Sequence, residues 1–108
     1  MTSLSILIPT YNWDCELLVK SLQSQCALFE IEYEIIVADD NSHDIDKRNA
    51  CKKALENIPN CQFIQLEQNI GRAAIRNMLA DVSRYEKLLF LDCDSMVKSS
   101  SFIKKYLE

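Results

Sequence analysis

The chain has 108 residues, 48% of them hydrophobic and 26% charged, which is enough for one buried core and one domain and is not the composition of a disordered chain. Its 12 basic and 16 acidic residues give a net charge of −4, which disfavours general nucleic-acid binding because that needs a basic field. Glycine occurs once, as Gly71, where average usage would supply about seven or eight, so Gly-rich phosphate loops and flexible linkers are excluded.

Four apolar runs alternate with helical patterns along the chain. The first run, Leu4 to Ile8, is continuous, as a strand buried on both faces should be. Cys15, Leu18, Leu22, Cys26 and Phe29 then fall on one face at helical spacing. The second run is Ile35 to Ala38. Cys51, Ala54, Leu55 and Ile58 form the next stripe, with Lys47, Arg48, Lys52 and Lys53 expected toward solvent. The third run, Phe63 to Leu66, carries Gln65 and follows Gln62, which predicts a sheet edge. Ile70, Ala74 and Met78, with Ile75, Leu79 and Val82, make the third helical stripe, opened by Gly71 with Asn69 as the expected N-cap. The fourth run is Leu88 to Leu91, and Phe102, Ile103, Tyr106 and Leu107 begin a last helix. Strand–helix alternation implies βαβ units, a mostly parallel sheet and an α/β fold.

Every run ends in polar residues. These are Pro9-Thr10-Tyr11-Asn12, then Asp39-Asp40-Asn41-Ser42, then Glu67-Gln68-Asn69 followed by Gly71 and Arg72, and finally Asp92-Cys93-Asp94. In open α/β sheets the carboxyl ends of the strands share one edge, and ligands bind in the crevice there. Four aspartates and the arginines Arg72 and Arg76 should therefore converge. Asp92 and Asp94 have strand spacing and can face one side. Two adjacent carboxylates repel unless a cation or a shared proton intervenes, and a hard Mg²⁺ or Mn²⁺ suits oxygen ligands while leaving positions for phosphates. Gly71 would permit close approach of the backbone to a strand or ligand, or serve only a turn. Tyr11 could stack on a base or simply pack half-buried. His43 receives no role.

No apolar run approaches the roughly 20 residues of a membrane span, and Met1-Thr2-Ser3-Leu4 lacks the basic start of a signal peptide. Cys15, Cys26, Cys51, Cys61 and Cys93 contain no C-x-x-C pair, and His43 is the sole histidine, so zinc spacing is poor. Reduced core thiols in a cytoplasmic protein are expected, with a membrane-peripheral setting for a longer parent as the variant.

The same segments resemble a known family. Ser5-Ile6-Leu7-Ile8-Pro9-Thr10-Tyr11-Asn12 is similar to the opening strand of family 2 glycosyltransferases of the GT-A fold. Glu34 to Ser42 resembles their second strand with its Asp-Asp-x-Ser turn. Asn69 to Asn77 resembles their Asn-x-Gly…Ala-x-Arg-Asn segment, and Phe90 to Asp94 their metal-binding D-x-D. The motifs occur in the family's order from Leu4 to Asp94.

The resemblance implies a Rossmann-like βαβ sandwich of sheet order 3-2-1-4 and a nucleotide-sugar-binding role, with transfer of a sugar to an acceptor hydroxyl with inversion. It implies that Pro9, Thr10, Tyr11, Asn12, Asp39, Asp40, Gly71, Arg76 and Asp92 contact the nucleotide sugar. Asp40 would bond the base, often uracil, and Arg76 would order the site. Asp94, with Asp92, would bind Mn²⁺ or Mg²⁺ on the diphosphate. A UDP-sugar donor and a glycan or lipid-linked acceptor are the implied partners.

Two departures accompany it. Asn41 stands where the turn usually has glycine, and Asn tolerates left-handed backbone. The family's catalytic domain is also roughly twice this length, and its second half carries the acceptor site and the general base that deprotonates the acceptor. Residues 1–108 are therefore expected to be a truncated, donor-binding part, inactive alone and open to self-association at an unpaired sheet edge. Leu107-Glu108 is read as vector residue or as the middle of a helix.

Three alternatives stand beside this reading. A receiver domain would use Asp39-Asp40 as its acidic pair and Asp92 as phospho-acceptor, but only 16 residues follow Asp92 to supply its later Ser/Thr and Lys. A haloacid-dehalogenase-like phosphatase would use Asp92 as nucleophile and Asp94 as acid/base, yet that motif normally opens its fold. The third is a non-catalytic nucleotide-binding module.

Overall fold

Strands and helices alternate through the whole computed structural model, which describes residues 3–94 and 102–107. The order is β1 (Ser3–Thr10), α1 (Glu16–Leu28), β2 (Glu32–Asp39), α2 (Ile45–Glu56), β3 (Cys61–Gln65), α3 (Arg72–Val82), β4 (Leu88–Phe90) and α4 (Phe102–Leu107). The expectations placed on Met1, Thr2 and Glu108 lie outside the described residues.

The four strands form one sheet in the order β3-β2-β1-β4, and every pairing is parallel. This is the expected α/β sheet, with β3 at the edge that its glutamines predict. The receiver alternative fails on this order. A receiver's doubly wound sheet runs 2-1-3-4-5, which would set the phospho-acceptor strand directly beside the acidic-pair strand. Here β1 lies between β2 and β4.

Both central strands are apolar on both faces because both faces are covered. Leu4, Ile6 and Ile8 join Ile35 and Val37 against α1, α2 and α4, which contribute Leu18, Val19, Leu22, Cys26, Cys51, Leu55 and Ile103. Leu7, Ile36 and Ala38 face Ile75 and Leu79 of α3. One helix on that side needs only a narrow stripe. Ile70 and Val82, assigned to the stripe from spacing, are therefore 37% and 48% exposed, and Ala74 is exposed too. On α2, Lys47, Lys52 and Lys53 are exposed as expected, but Arg48 is half-buried.

The cysteines are all free thiols. Cys15 and Cys51 are buried with their Sγ atoms 3.0 Å apart. The hydrogen bond with Cys51 and burial push the Cys15 thiol far up. Burial raises Cys26 to about 11 and Cys61 to about 12. Such protonated interior thiols behave as small hydrophobes.

Candidate functional site

The strand ladder continues past β1 and β2 into their loops. The Asp40 amide donates to the Thr10 carbonyl at 2.9 Å, Leu66 N to Asp39 O at 3.0 Å, and Leu91 N to Leu7 O at 3.1 Å. Leu7 pairs with Phe90, so continuing that register by two residues sets Asp92 beside Pro9. The four polar clusters thus meet at one edge of the sheet.

Asp39 closes its own turn. Its carboxylate accepts from the Ser42 amide at 2.9 Å and from the Ser42 hydroxyl, and the residue is 1% exposed. Asn41 adopts φ 57°, the left-handed conformation that Asn supports where a glycine is usual. Asn12, at φ 54°, ties the first loop to the second. Its amide donates to Ser42 Oγ at 2.8 Å, and its Oδ1 accepts from the Asp44 amide at 2.9 Å. Asp44 in turn caps α2 by accepting from Lys47 N at 3.1 Å, the usual N-cap geometry. The side chains of Asp39 and Asn12, both assigned to the ligand from the resemblance, are therefore committed to holding these loops together.

Asp40 is the hinge between β2 and α3. Its two carboxylate oxygens accept from Ile70 N at 2.7 Å and Gly71 N at 3.0 Å, and its carbonyl accepts from Asn69 Nδ2 at 3.1 Å. A carboxylate has about four acceptor sites, so two remain. The N-cap of α3 is Gly71, not Asn69 as the spacing suggested, because the Asn69 side chain is drawn to Asp40. Gly71 has φ 89° and ψ 164°, a region that essentially only glycine occupies. A Cβ there would meet no atom within 4 Å, so backbone conformation, not close approach to a strand, requires the glycine. This turn aims two consecutive amides at Asp40.

A cavity of about 310 Å³ opens at this edge, lined by Pro9, Thr10, Tyr11, Trp13, Asp40, Arg72, Ile75, Asp92, Cys93 and Asp94. Asp92 and Asp94 are exposed, and among the described residues neither carboxylate enters a hydrogen bond or ion pair. Arg76 lies outside this lining. Its guanidinium stacks on Phe90 at 4.6 Å and borders a smaller cavity of about 220 Å³ that shares Pro9 and Asp92 with the first. Arg72, one turn earlier, is the arginine that lines the cavity holding both Asp92 and Asp94.

Trp13 belongs to no motif or periodic stripe in the sequence. The available signal was an isolated large aromatic two residues beyond Tyr11 in a loop at the site edge. Its carbonyl accepts from Thr10 Oγ1 at 3.3 Å, and Lys47 Nζ sits 5.7 Å from its ring centroid. Tyr11 meets His43 edge-to-face at 6.0 Å, which gives that histidine a packing contact.

Asp92 and Asp94 present two carboxylates to the cavity. Among the described residues no group of three His, Cys, Asp or Glu side chains is placed to hold a metal ion. The pair suits an ion that keeps several ligands of its own, such as Mg²⁺ carried with phosphates, and does not suit a closed all-protein cage.

Comparison with known proteins agrees with this architecture. Chondroitin synthase of Escherichia coli is 32% identical over 107 residues, which cover 97% of this chain and 15% of the relative. S. aureus TarS 1-349 in complex with UDP-GlcNAc superposes with a TM-score of 0.76 at 27% identity, over 99% of this chain and 30% of that one. The mannosyltransferase PcManGT from Pyrobaculum calidifontis, in complex with GDP-Man and Mn²⁺, has a TM-score of 0.74 at 19% identity, over 96% of this chain and 31% of that one, a likeness of fold. This chain therefore spans well under half the length of each. The sequence model of glycosyl transferase family 2 matches residues 5–108, from the first strand through both pairs of aspartates, and the chain belongs to that family.

Proposed function

We propose that this chain is the donor-binding part of a glycosyltransferase that moves a sugar from a nucleoside-diphosphate sugar, UDP-linked by preference, to an acceptor hydroxyl with inversion. The observation that carries the reading is the pair of exposed carboxylates, Asp92 and Asp94, on the same cavity as the ends of β1 and β2. TarS with UDP-GlcNAc and PcManGT with GDP-Man support a nucleotide-sugar ligand.

On this reading, Pro9, Thr10 and Tyr11 wall the nucleoside. Asp40 accepts from the base with the lone pairs that Ile70 and Gly71 leave over. Asp39 and Asn12 act by fixing the loops that carry these residues. Arg76, stacked on Phe90, orders the site beside the nucleotide, and Gly71 lets Asp40 anchor α3. Asp94, with Asp92, would hold Mn²⁺ or Mg²⁺, as the Mn²⁺ of PcManGT supports; when bound, the ion acts as a Lewis acid that stabilises the departing diphosphate. The acceptor, a glycan or lipid-linked sugar, and the base that deprotonates it belong to the length of the relatives that this chain does not span. The parent would work in the cytoplasm or at a membrane surface.

The test is thermal unfolding with UDP and MnCl₂. A ligand that binds only the folded state stabilises it by about 2.7 kcal/mol at a hundred times its Kd. UDP with Mn²⁺ should raise Tm more than UDP with EDTA, and Asp94→Ala should erase the difference. An unchanged metal-dependent shift in that variant would make Asp94 a turn residue. No sugar transfer is expected from residues 1–108 alone.

A further inference from the structure

The cavity is lined by the charged side chains Asp40, Arg72, Asp92 and Asp94 and by the aromatic rings Tyr11 and Trp13, of which Tyr11 walls the nucleoside in the reading above. Trp13 is 45% exposed, a large apolar surface left in water at the cavity mouth. Such surface gains most when a planar group covers it. The loop that carries the ring is held in place. Asn12, turned to φ 54° and bonded to Ser42 and Asp44, sets the direction of the loop, and Thr10 Oγ1 fixes the Trp13 carbonyl. Lys47, from the first turn of α2, has its Nζ 5.7 Å from the indole centroid and is not one of the residues lining the cavity. Its Nζ also lies 3.9 Å from Asp44 Oδ2.

We propose that Trp13 is a second aromatic wall of the nucleoside subsite, stacking on the base of the nucleoside diphosphate while Lys47 braces the indole from behind. This rests on the donor-binding reading above. Every base has a π-face, and base–aromatic stacking contributes enough that its removal by alanine is readily measured. The inference assigns Trp13 to the base end of the ligand and not to its phosphates, and that distinction is testable.

Trp13 is the sole tryptophan, so indole emission reports this position alone. UDP with Mn²⁺, titrated into the 108-residue chain, should quench that emission with the midpoint found by calorimetry. Trp13→Ala should weaken UDP about tenfold or more, the loss expected for one stacked base. It should leave inorganic pyrophosphate with Mn²⁺ bound as before, and Trp13→Phe should restore UDP to within about threefold of the parent chain. Calorimetric binding of UDP without an emission change, or equal losses for UDP and pyrophosphate in Trp13→Ala, would overturn the inference and leave the donor-binding reading standing. Absence of binding by both UDP and GDP, with or without Mn²⁺, would overturn both.

Discussion

Two pairs of aspartates flank β1 at the same end of the sheet, Asp39-Asp40 after β2 and Asp92/Asp94 after β4, and their environments are opposite. The first pair is buried, and its carboxylates accept from Ser42, Ile70 and Gly71. The second pair is exposed on the cavity, with no hydrogen bond or ion pair among the described residues. Both pairs look like acidic ligands in the sequence. In the fold, the first pair chiefly builds the wall that the second pair faces. A buried carboxylate that already accepts backbone amides contributes to stability and loses much when it is cut away, because it leaves buried donors unpaired. An exposed carboxylate with a like-charged neighbour contributes little to stability and keeps its oxygens for a ligand.

The largest expected effect is therefore at Asp39. Asp39→Ala leaves the Ser42 amide and hydroxyl without their acceptor in a dry turn, and should cost about 2–4 kcal/mol in urea unfolding. A loss under about 0.5 kcal/mol, within the range of ordinary surface substitutions, would erase the contrast between the pairs.

Gly71→Ala comes next. No neighbour opposes a Cβ there, so the cost is confined to backbone strain at φ 89°, about 1–3 kcal/mol. Because that strain would turn the Ile70 and Gly71 amides away from Asp40, hydrogen exchange at these two amides should rise further than global destabilisation explains.

Some of this contrast can be read from the sequence and some cannot. Continuous apolar runs mark β1, β2 and β4, and the glutamines mark β3 as an edge, because burial on two faces or one is written directly into residue type. The D-x-D is legible because i, i+2 spacing survives into the structure. The use of Asp40 as an acceptor is not, since it depends on the Ile70 and Gly71 amides, 30 and 31 residues away, meeting it in space, and that of Asp39 depends on the left-handed turn at Asn41 that brings Ser42 back onto its carboxylate. Trp13 is hidden for the same reason. The path of its loop is set by the backbone of Asn12 and by that residue's bonds to Ser42 and Asp44, none of which has a periodic signature. Spacing marks too wide a stripe on α3 because it shows which residues can face inward, not how much sheet is there to cover them.

The core between the sheet and α1 supplies a pH test. Cys26 is raised by burial from 9.0 to about 11. The unfolded chain thus loses this proton first as pH climbs. The stability linked to Cys26 is intact below pH 9 and is lost progressively as pH rises from 9 toward 11. Urea midpoints should fall across that window, and Cys26→Ala, less stable at neutral pH through its small cavity, should show a shallower fall. An equal slope in the variant would place the alkaline sensitivity elsewhere, such as Cys61, raised to about 12 by the same cause.

The smallest effect on stability is expected at Asp94, and it is the most decisive for the comparison. Asp94→Ala removes an exposed charge next to Asp92, so unfolding free energy should change by no more than about 0.5 kcal/mol, and removal of like-charge repulsion favours the variant. The same substitution should eliminate the Mn²⁺-dependent part of the UDP shift. Asp39→Ala should behave in the reverse way: its Tm falls in the absence of ligand, while the increment that Mn²⁺ adds to UDP persists at temperatures where the variant is still folded. That crossed pattern separates a carboxylate that supports the site from one that serves it. If Asp94→Ala destabilised the chain as much as Asp39→Ala, Asp94 would be structural, and the difference in burial between the two pairs would no longer track what they do.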